Sequence, residues 1–164
     1  EGEAPAAALP LAAEQLTGEQ RAASERALRG ESIFLTGAAG TGKSFLLRYL
    51  VQVLEERHDG QAGAVAVTAP TGIAATNVGG QTIHSFAGVG LGEGSARKLV
   101  AMVKKSAAAV QRWQALRVLI IDEVSMLDAD LFEALSAIAA SARSSRAPFG
   151  GVQVVACGDF LQLP

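Results

Sequence analysis

The sequence predicts an α/β fold in which a parallel β-sheet is covered by helices on both faces. Three observations predict it. Short, near-continuous apolar runs recur along the chain, and helix-forming segments separate them. A glycine-rich loop also joins the first run to a long helical stretch.

The elements follow in order. Residues 1–16 (EGEAPAAALPLAAEQL) are rich in Ala, Pro and Glu without a period, and read as a linker arm. The apolar stretch from Ala4 to Ala13 has an acidic flank, Glu1 and Glu3, and is broken by Pro5 and Pro10. It lacks the basic flank and uninterrupted apolar run of a secretory signal. Thr17 followed three residues later by Gln20 has capping-box spacing and opens a helix to about Arg29. Ser32 to Thr36 is a short β-favouring run ending at Gly37, hence a buried strand. A helix from about Gly42 to His58 places Phe45, Leu46, Tyr49, Leu50, Val53 and Leu54 on one face. Gly60 to Gly63 punctuates it. Ala64 to Thr68 reads as a second strand and Val118 to Ile121 as a third. Asp128 to about Ser144 is a helix with Leu131, Leu135 and Ile138 at helical spacing, and Val152 to Ala156 is a fourth strand. There is no internal repeat, and nothing approaches the ~18 consecutive apolar residues of a membrane-spanning helix.

Composition narrows the class. A chain of 164 residues is the size of one compact domain, and buries roughly 68–70% of its unfolded surface. With 49% hydrophobic and 18% charged residues it is neither disordered nor collagen-like. One cysteine rules out a disulfide framework and fits a reducing compartment. A net charge of −2 argues against a generally basic nucleic-acid coat, although a local basic groove remains open. The chain lacks an initiator Met and stops at Pro164 within a motif, so it is expected to be a fragment.

The chemistry starts at Gly37-Ala38-Ala39-Gly40-Thr41-Gly42-Lys43-Ser44, which matches G-x-x-x-x-G-K-[ST] between a strand and a helix. The glycines let the backbone curl around an anion, and the N-terminus of the following helix adds partial positive charge. Lys43 supplies a point charge to the β and γ phosphates, and the Ser44 hydroxyl suits Mg²⁺. The spacing is not the G-x-G-x-x-G of a dinucleotide fold. Ile120-Ile121-Asp122-Glu123 then places two acids at the C-terminal end of a strand, where open α/β sheets bind ligands. Asp122 would hold Mg²⁺, directly or through water, and Glu123 would orient and deprotonate the water attacking the γ phosphate. The competing role for this pair is to cap the helix that follows. No Asn/Thr-Lys-x-Asp guanine-reading motif occurs, and adjacent acids fit hydrolysis better than a small-molecule kinase.

Further stretches carry a resemblance. They are Ala69-Pro70-Thr71-Gly72-Ile73-Ala74-Ala75, the run Gly79 to Gly90 (GGQTIHSFAGVG), Asp122 to Met126 (DEVSM), and the closing Gly158-Asp159-Phe160-Leu161-Gln162-Leu163-Pro164. Together with the phosphate loop they resemble the ordered motifs of superfamily-one helicases. The resemblance is specific to the petite-integration-frequency (Pif-type) DNA helicases, whose own signature is similar to Asp128 to Glu133 and Pro148 to Gly151. It covers about residues 17–164.

The resemblance implies the first RecA-like motor domain of an enzyme that uses ATP and Mg²⁺. It also implies 5′-to-3′ movement on single-stranded DNA, unwinding of duplex junctions or G-quadruplexes, and a nuclear or mitochondrial location. It places Gln20 as adenine reader and Gln162 as γ-phosphate sensor. Thr71, Gly72, Thr82 and His84 map onto DNA-contacting motifs. Phe86 stays open between DNA and core, His84 between DNA and a satisfied half-buried histidine, and Gln20 between adenine and the capping box. A small wedge insertion is expected after Gly88, to about Ala115. Within it and just beyond lie Arg97, Lys98, Lys104, Lys105, Arg112 and Arg117 with no acid from Ser95 to Arg117, either a phosphate-binding patch or a solvated face. Trp113 reads as a core anchor and Cys157 as a buried, inert thiol. A second motor domain bearing an arginine finger is expected outside this sequence, so the chain alone is expected to hydrolyse ATP barely and to unwind nothing. The alternative from another class is a regulatory nucleotide or single-strand binding module, which would not need Asp122, Glu123 and Gln162 together.

Overall fold

The computed structural model describes residues 10–38 and 40–162. Among these residues, five strands, β1 (Ile33–Leu35), β2 (Val65–Ala69), β3 (Gln81–Thr82), β4 (Val118–Ile121) and β5 (Gln153–Cys157), form one sheet in the order β1-β5-β4-β2-β3. Every neighbouring pair is parallel, with Leu35 opposite Cys157, Ile121 opposite Ala156 and Thr68 opposite Ile121. The four strands expected from the apolar runs are all present. The added β3 has two residues, too short to show a period.

Seven α-helices among the described residues cover the sheet: α1 (Gly18–Leu28), α2 (Lys43–Arg57), α3 (Gly72–Asn77), α4 (Ile83–Ala87), α5 (Ala96–Lys104), α6 (Ala107–Ala115) and α7 (Ala129–Ala142). Among the described residues, no helix is long and apolar enough to cross a membrane. The strands divide their side chains between two cores. Val118, Ile120, Val155 and Cys157 pack with Leu46, Leu47, Leu50 and Leu54 of α2. Leu119, Ile121, Val154 and Ala156 point the other way, into a larger core built by α4, α5, α6 and α7. Burial on both faces is why these strands read as continuous apolar runs.

Two expectations are corrected. Residues 11–16 are not linker, because Leu16 is buried against α2 and Gln52 exchanges two hydrogen bonds with the Leu11 backbone at 2.9 and 3.4 Å. Residues 1–9 lie outside the described region. Nor is β1 buried on both faces. It is an edge strand, and Phe34 is 46% exposed.

The stretch expected as an insertion, residues 88–115, holds a glycine-rich turn and then α5 and α6. These helices supply Leu99, Val103, Ala109 and Trp113 to the larger core, so they help to build it. Trp113 is fully buried, donates its indole N–H to the Ala87 carbonyl at 3.3 Å, and meets Phe86 edge-on at 5.2 Å. Arg143, which drew no notice in the sequence, closes this corner. Its guanidinium donates to the carbonyls of Trp113, Gln114, Leu116 and Gly150 at 2.7 to 3.0 Å, satisfying the end of α6. Burial and the nearby Arg117 charge pull its pKa down from the usual arginine value.

Trp113→Ala is expected to cost about 3–5 kcal/mol, the range for deleting a buried aromatic ring. Because Trp113 is the sole tryptophan, urea unfolding should be followed by far-ultraviolet circular dichroism. A loss below about 1 kcal/mol would contradict the anchoring role.

Candidate nucleotide and nucleic-acid sites

The sheet order explains how distant motifs meet. The phosphate loop leaves β1 and the acid pair leaves β4, while β5 runs between these strands. At the end of β5, the Cys157 thiol senses both sides. Burial is the main force raising its pKa, to about 12. The Asp122 carboxylate, as a neighbouring charge and as hydrogen-bond acceptor, raises it further, with Glu123 adding to this and Lys43 opposing it. Lys43, Asp122 and Glu123 are therefore all near enough to the end of β5 for their charges to act on Cys157.

The phosphate loop is closed by its own polar groups. The Lys43 ammonium donates to the carbonyls of Gly37 and Ala38, the latter at 3.0 Å. Thr41 donates its hydroxyl to Ala38 O at 2.8 Å. Gly42 stands at the start of α2 with φ +81°, where a side-chain carbon would come within 2.6 Å of Gln20 Nε2. Only glycine fits that left-handed, crowded position. Gly40 and Ser44 are exposed, and Ala39 lies outside the described residues.

Gln20 joins two tasks that the sequence left as alternatives. Its Oε1 accepts the Thr17 N–H at 3.0 Å while the Thr17 hydroxyl accepts the Gln20 N–H at 3.3 Å, a complete capping box. Its Nε2 donates to Gly42 O at 3.4 Å. The amide thus borders a cleft of about 320 Å³ lined by residues including Thr17, Gln20, Phe34, Thr41, Gly42 and Lys43. Lys43 is the sole cation lining this cleft among the described residues.

The acid pair does not cap α7, and Glu123, which opens the intervening 3-10 turn Val124–Met126, makes no side-chain capping bond there. The cap of α7 is Asp128, whose Oδ1 accepts the Asp130 N–H at 2.8 Å. Asp122 is half-buried and accepts the Glu123 N–H at 2.9 Å. Glu123 is exposed and held in the left-handed region at φ +50°, ψ +39°. A non-glycine residue there costs about 1–2 kcal/mol, strain of the kind that collects at functional sites.

The donors also fit a hard divalent cation. Ser44 offers a hydroxyl and Asp122 a carboxylate, both oxygen ligands. The carboxylate has about four acceptor positions, of which the Glu123 N–H uses one. Among the described residues there is no cluster of three or more His, Cys, Asp or Glu side chains able to hold a metal. Mg²⁺ sites built on one or two protein oxygens take their remaining ligands from water and phosphate.

The residues mapped to DNA separate. Thr71 and His84 line one cleft of about 410 Å³ with Leu91, Met126, Asp128 and Asp130 among others. Thr71 accepts the Ala74 N–H at 3.2 Å as cap of α3, and Thr82 accepts the Ser85 N–H at 3.2 Å as cap of α4. Both hydroxyls keep a proton to donate. Gly72 is exposed at the first position of α3, and His84 is half-buried. Phe86 takes the core side of its two readings: it is 4% exposed, packed on Trp113, and its ring is closed to a stacking base. The basic stretch does not form one stripe. Arg97, Lys98, Lys104 and Lys105 are exposed on and after α5, Arg112 donates to Phe86 O at 3.1 Å, and Arg117 lies beside Arg57 and His58 at the strand beginnings.

Gln162 ends a short 3-10 turn, Phe160–Gln162, after β5; its side chain lies outside the described residues. Two residues beside these motifs escaped sequence reasoning. Phe34 lines the cleft beside Gln20 and Lys43, and its one signal, a large apolar residue in an edge strand, needs the sheet order to be read. Asp159 is buried and closes the Gln162 turn by accepting the Leu161 N–H at 2.9 Å.

Cys157 yields a direct check. With a pKa of about 12, only about one native thiol in ten thousand is ionised at pH 8. An unfolded thiol ionises near about 8.5, so stability falls as pH rises from there toward 12. Native chain at pH 8 should react with a thiol reagent far more slowly than chain in denaturant. Equal rates would contradict the burial.

Residues 15–164 match the PIF1-like helicase family. The ATP-dependent DNA helicase PIF1 of Candida albicans is 50% identical over 149 residues, covering 91% of this chain and 16% of that protein. The Homo sapiens protein of the same name is 46% identical over 156 residues, covering 95% and 23%. The chain thus spans less than a quarter of the length of these relatives. The crystal structure of Pif1 helicase from Candida albicans superposes with a TM-score of 0.84 at 50% identity, over 91% of this chain and 33% of that one. That of Pif1 helicase from Bacteroides in complex with ADP-AlF3 and ssDNA does so at 0.72 and 34% identity, over 91% and 33%. The parallel sheet with its flanking helices is the RecA-like fold of those helicases. By motif, fold and identity along nearly its whole length, the chain belongs to the PIF1-like helicase family.

Proposed function

We propose that this chain is the nucleotide-binding motor domain of an ATP-driven DNA helicase. The observation that carries the proposal is the convergence of Lys43, Asp122 and Glu123 around the end of β5. Lys43 binds the β and γ phosphates inside the loop. Glu123, exposed on its strained turn, orients a water and accepts its proton. Ser44 and Asp122 would hold Mg²⁺, which when bound neutralises charge developing on the phosphates. Gln20 borders the base end of the cleft, and Gln162 senses the γ phosphate. In the longer protein the cycle drives 5′-to-3′ movement on single-stranded DNA, opening duplex junctions and G-quadruplexes, with Thr71, Gly72, Thr82 and His84 toward the strand. The names of the relatives and the ssDNA complex of the Bacteroides protein support this reading.

A second motor domain completes the site. Lys43 is the one cation lining the cleft among the described residues, so a transition-state arginine has to come from elsewhere. Such a finger is worth about 10³–10⁵ in rate. The test compares ATP turnover, with and without single-stranded DNA, in the 164-residue chain and in the longer protein. The longer protein should turn over rapidly with DNA and unwind a fork bearing a 5′ tail, whereas the chain alone should turn over barely. Strand-stimulated turnover by the chain at the longer protein's rate would overturn the two-domain reading, and a preference for a 3′ tail would overturn the direction.

A further inference from the structure

The turn that carries Gln162 is held from two sides by segments far from it in sequence. On one side, Gly158 presses against the acid-bearing turn, and a side-chain carbon there would come within 3.1 Å of Ser125 N and Val124 Cγ1. The Gly158 N–H also donates to Leu35 O at 3.0 Å, tying the turn to β1. On the other side, the Phe160 ring packs on Phe34, with ring centres 5.6 Å apart and planes inclined by 51°. Asp159 closes the turn from within through its bond to the Leu161 N–H. An Asx closure of this kind stiffens a turn.

The two aromatic rings are not core filler. Phe34 is 46% and Phe160 55% exposed, whereas Leu35 beside Phe34 is buried. Phe34 stands three residues before Gly37, where the phosphate loop begins, and it lines the same cleft as Gln20 and Lys43. Phe34 thus connects the strand leading into the phosphate loop with the ring of Phe160 on the Gln162 turn.

We infer that the Phe34–Phe160 contact sets the position of the Gln162 turn against the phosphate loop, and so tunes how the cleft discriminates a nucleoside triphosphate from a diphosphate. Both are positioning residues acting through Gln162. The inference rests on the reading of this cleft as the nucleotide site.

The test measures binding of fluorescent ADP and of a fluorescent β,γ-imido ATP analogue to the 164-residue chain with Mg²⁺. The variants are Phe34→Ala, Phe160→Ala, their combination, Phe160→Leu and Phe160→Tyr. Phe160→Ala should keep ADP affinity within about twofold, and both alanine variants should change the triphosphate-to-diphosphate ratio by about threefold or more, the scale of an aromatic pair. Phe160→Tyr should keep the ratio. The double variant should match a single one, because both remove the same contact. Thermal midpoints by circular dichroism establish that each variant folds, and Phe160→Leu, which keeps apolar bulk without a ring, stands in if Phe160→Ala does not. An unchanged ratio, or additive effects in the double variant, would overturn the inference. If the unaltered chain bound neither nucleotide, the reading of the cleft would fall first and the inference with it.

Discussion

Lys43→Ala is expected to abolish ATP turnover in the longer protein, lowering it by about 10³-fold or more. Lys43 is the one cation lining the nucleotide cleft among the described residues, so no neighbour there takes over its charge. A hydrogen bond to a charged group contributes about 1.5–3 kcal/mol, so nucleotide affinity should also fall about 10- to 100-fold. The fold should survive. Lys43 is only partly buried, and its ammonium bonds are to carbonyls of its own loop. Steady-state turnover and titration calorimetry check both effects. Turnover within about tenfold of the unaltered protein would remove Lys43 from the machinery.

Glu123→Gln should separate binding from hydrolysis. Glutamine keeps the size and hydrogen-bonding reach of the side chain but cannot take a proton from water. Loss of a general base costs about 10²–10⁴ in rate. Nucleotide affinity should stay within about twofold, because Glu123 is placed for water and Lys43 for phosphate. Stability should be unchanged, since glutamine bears the same left-handed backbone strain at φ +50°. Single-turnover hydrolysis with pre-bound ATP measures the chemical step alone. Intact hydrolysis in that assay would mean that Glu123 is not the base.

The features legible in the sequence were those with a rigid spacing. The phosphate loop and the acid pair after an apolar strand are fixed by backbone geometry, so residue type and position suffice. Strands β2, β4 and β5 were legible because burial on both faces leaves an unbroken apolar run. Helices α3 and α4 were not, because six and five residues hold too few turns to show a period. Their caps, Thr71 and Thr82, were singled out through family motifs, and the capping geometry emerged only with the backbone. Phe86 had no deciding signal, since a large aromatic residue near a motif looks the same whether it faces a base or Trp113. The edge position of β1, and with it the role of Phe34, follows from β5 pairing beside it, a contact across more than a hundred residues. The six basic residues formed a run along the sequence but not in space, because helix and strand boundaries turned Arg112 and Arg117 away from α5. Leu11 and Leu16 were hidden by the Ala- and Pro-rich composition around them.

One site, formed by the phosphate loop after β1 and the acid pair after β4, is proposed to bind and hydrolyse ATP. The most direct measurement is a crystal structure of this chain with ADP, aluminium fluoride and Mg²⁺. The phosphates are expected within residues 37–44 and the base beside Gln20. The Lys43 ammonium is expected to move from the carbonyls of Gly37 and Ala38 onto the fluoride end, with Glu123 facing that end. A nucleotide bound elsewhere, or Lys43 still on those carbonyls with Glu123 turned away from the fluoride, would contradict it.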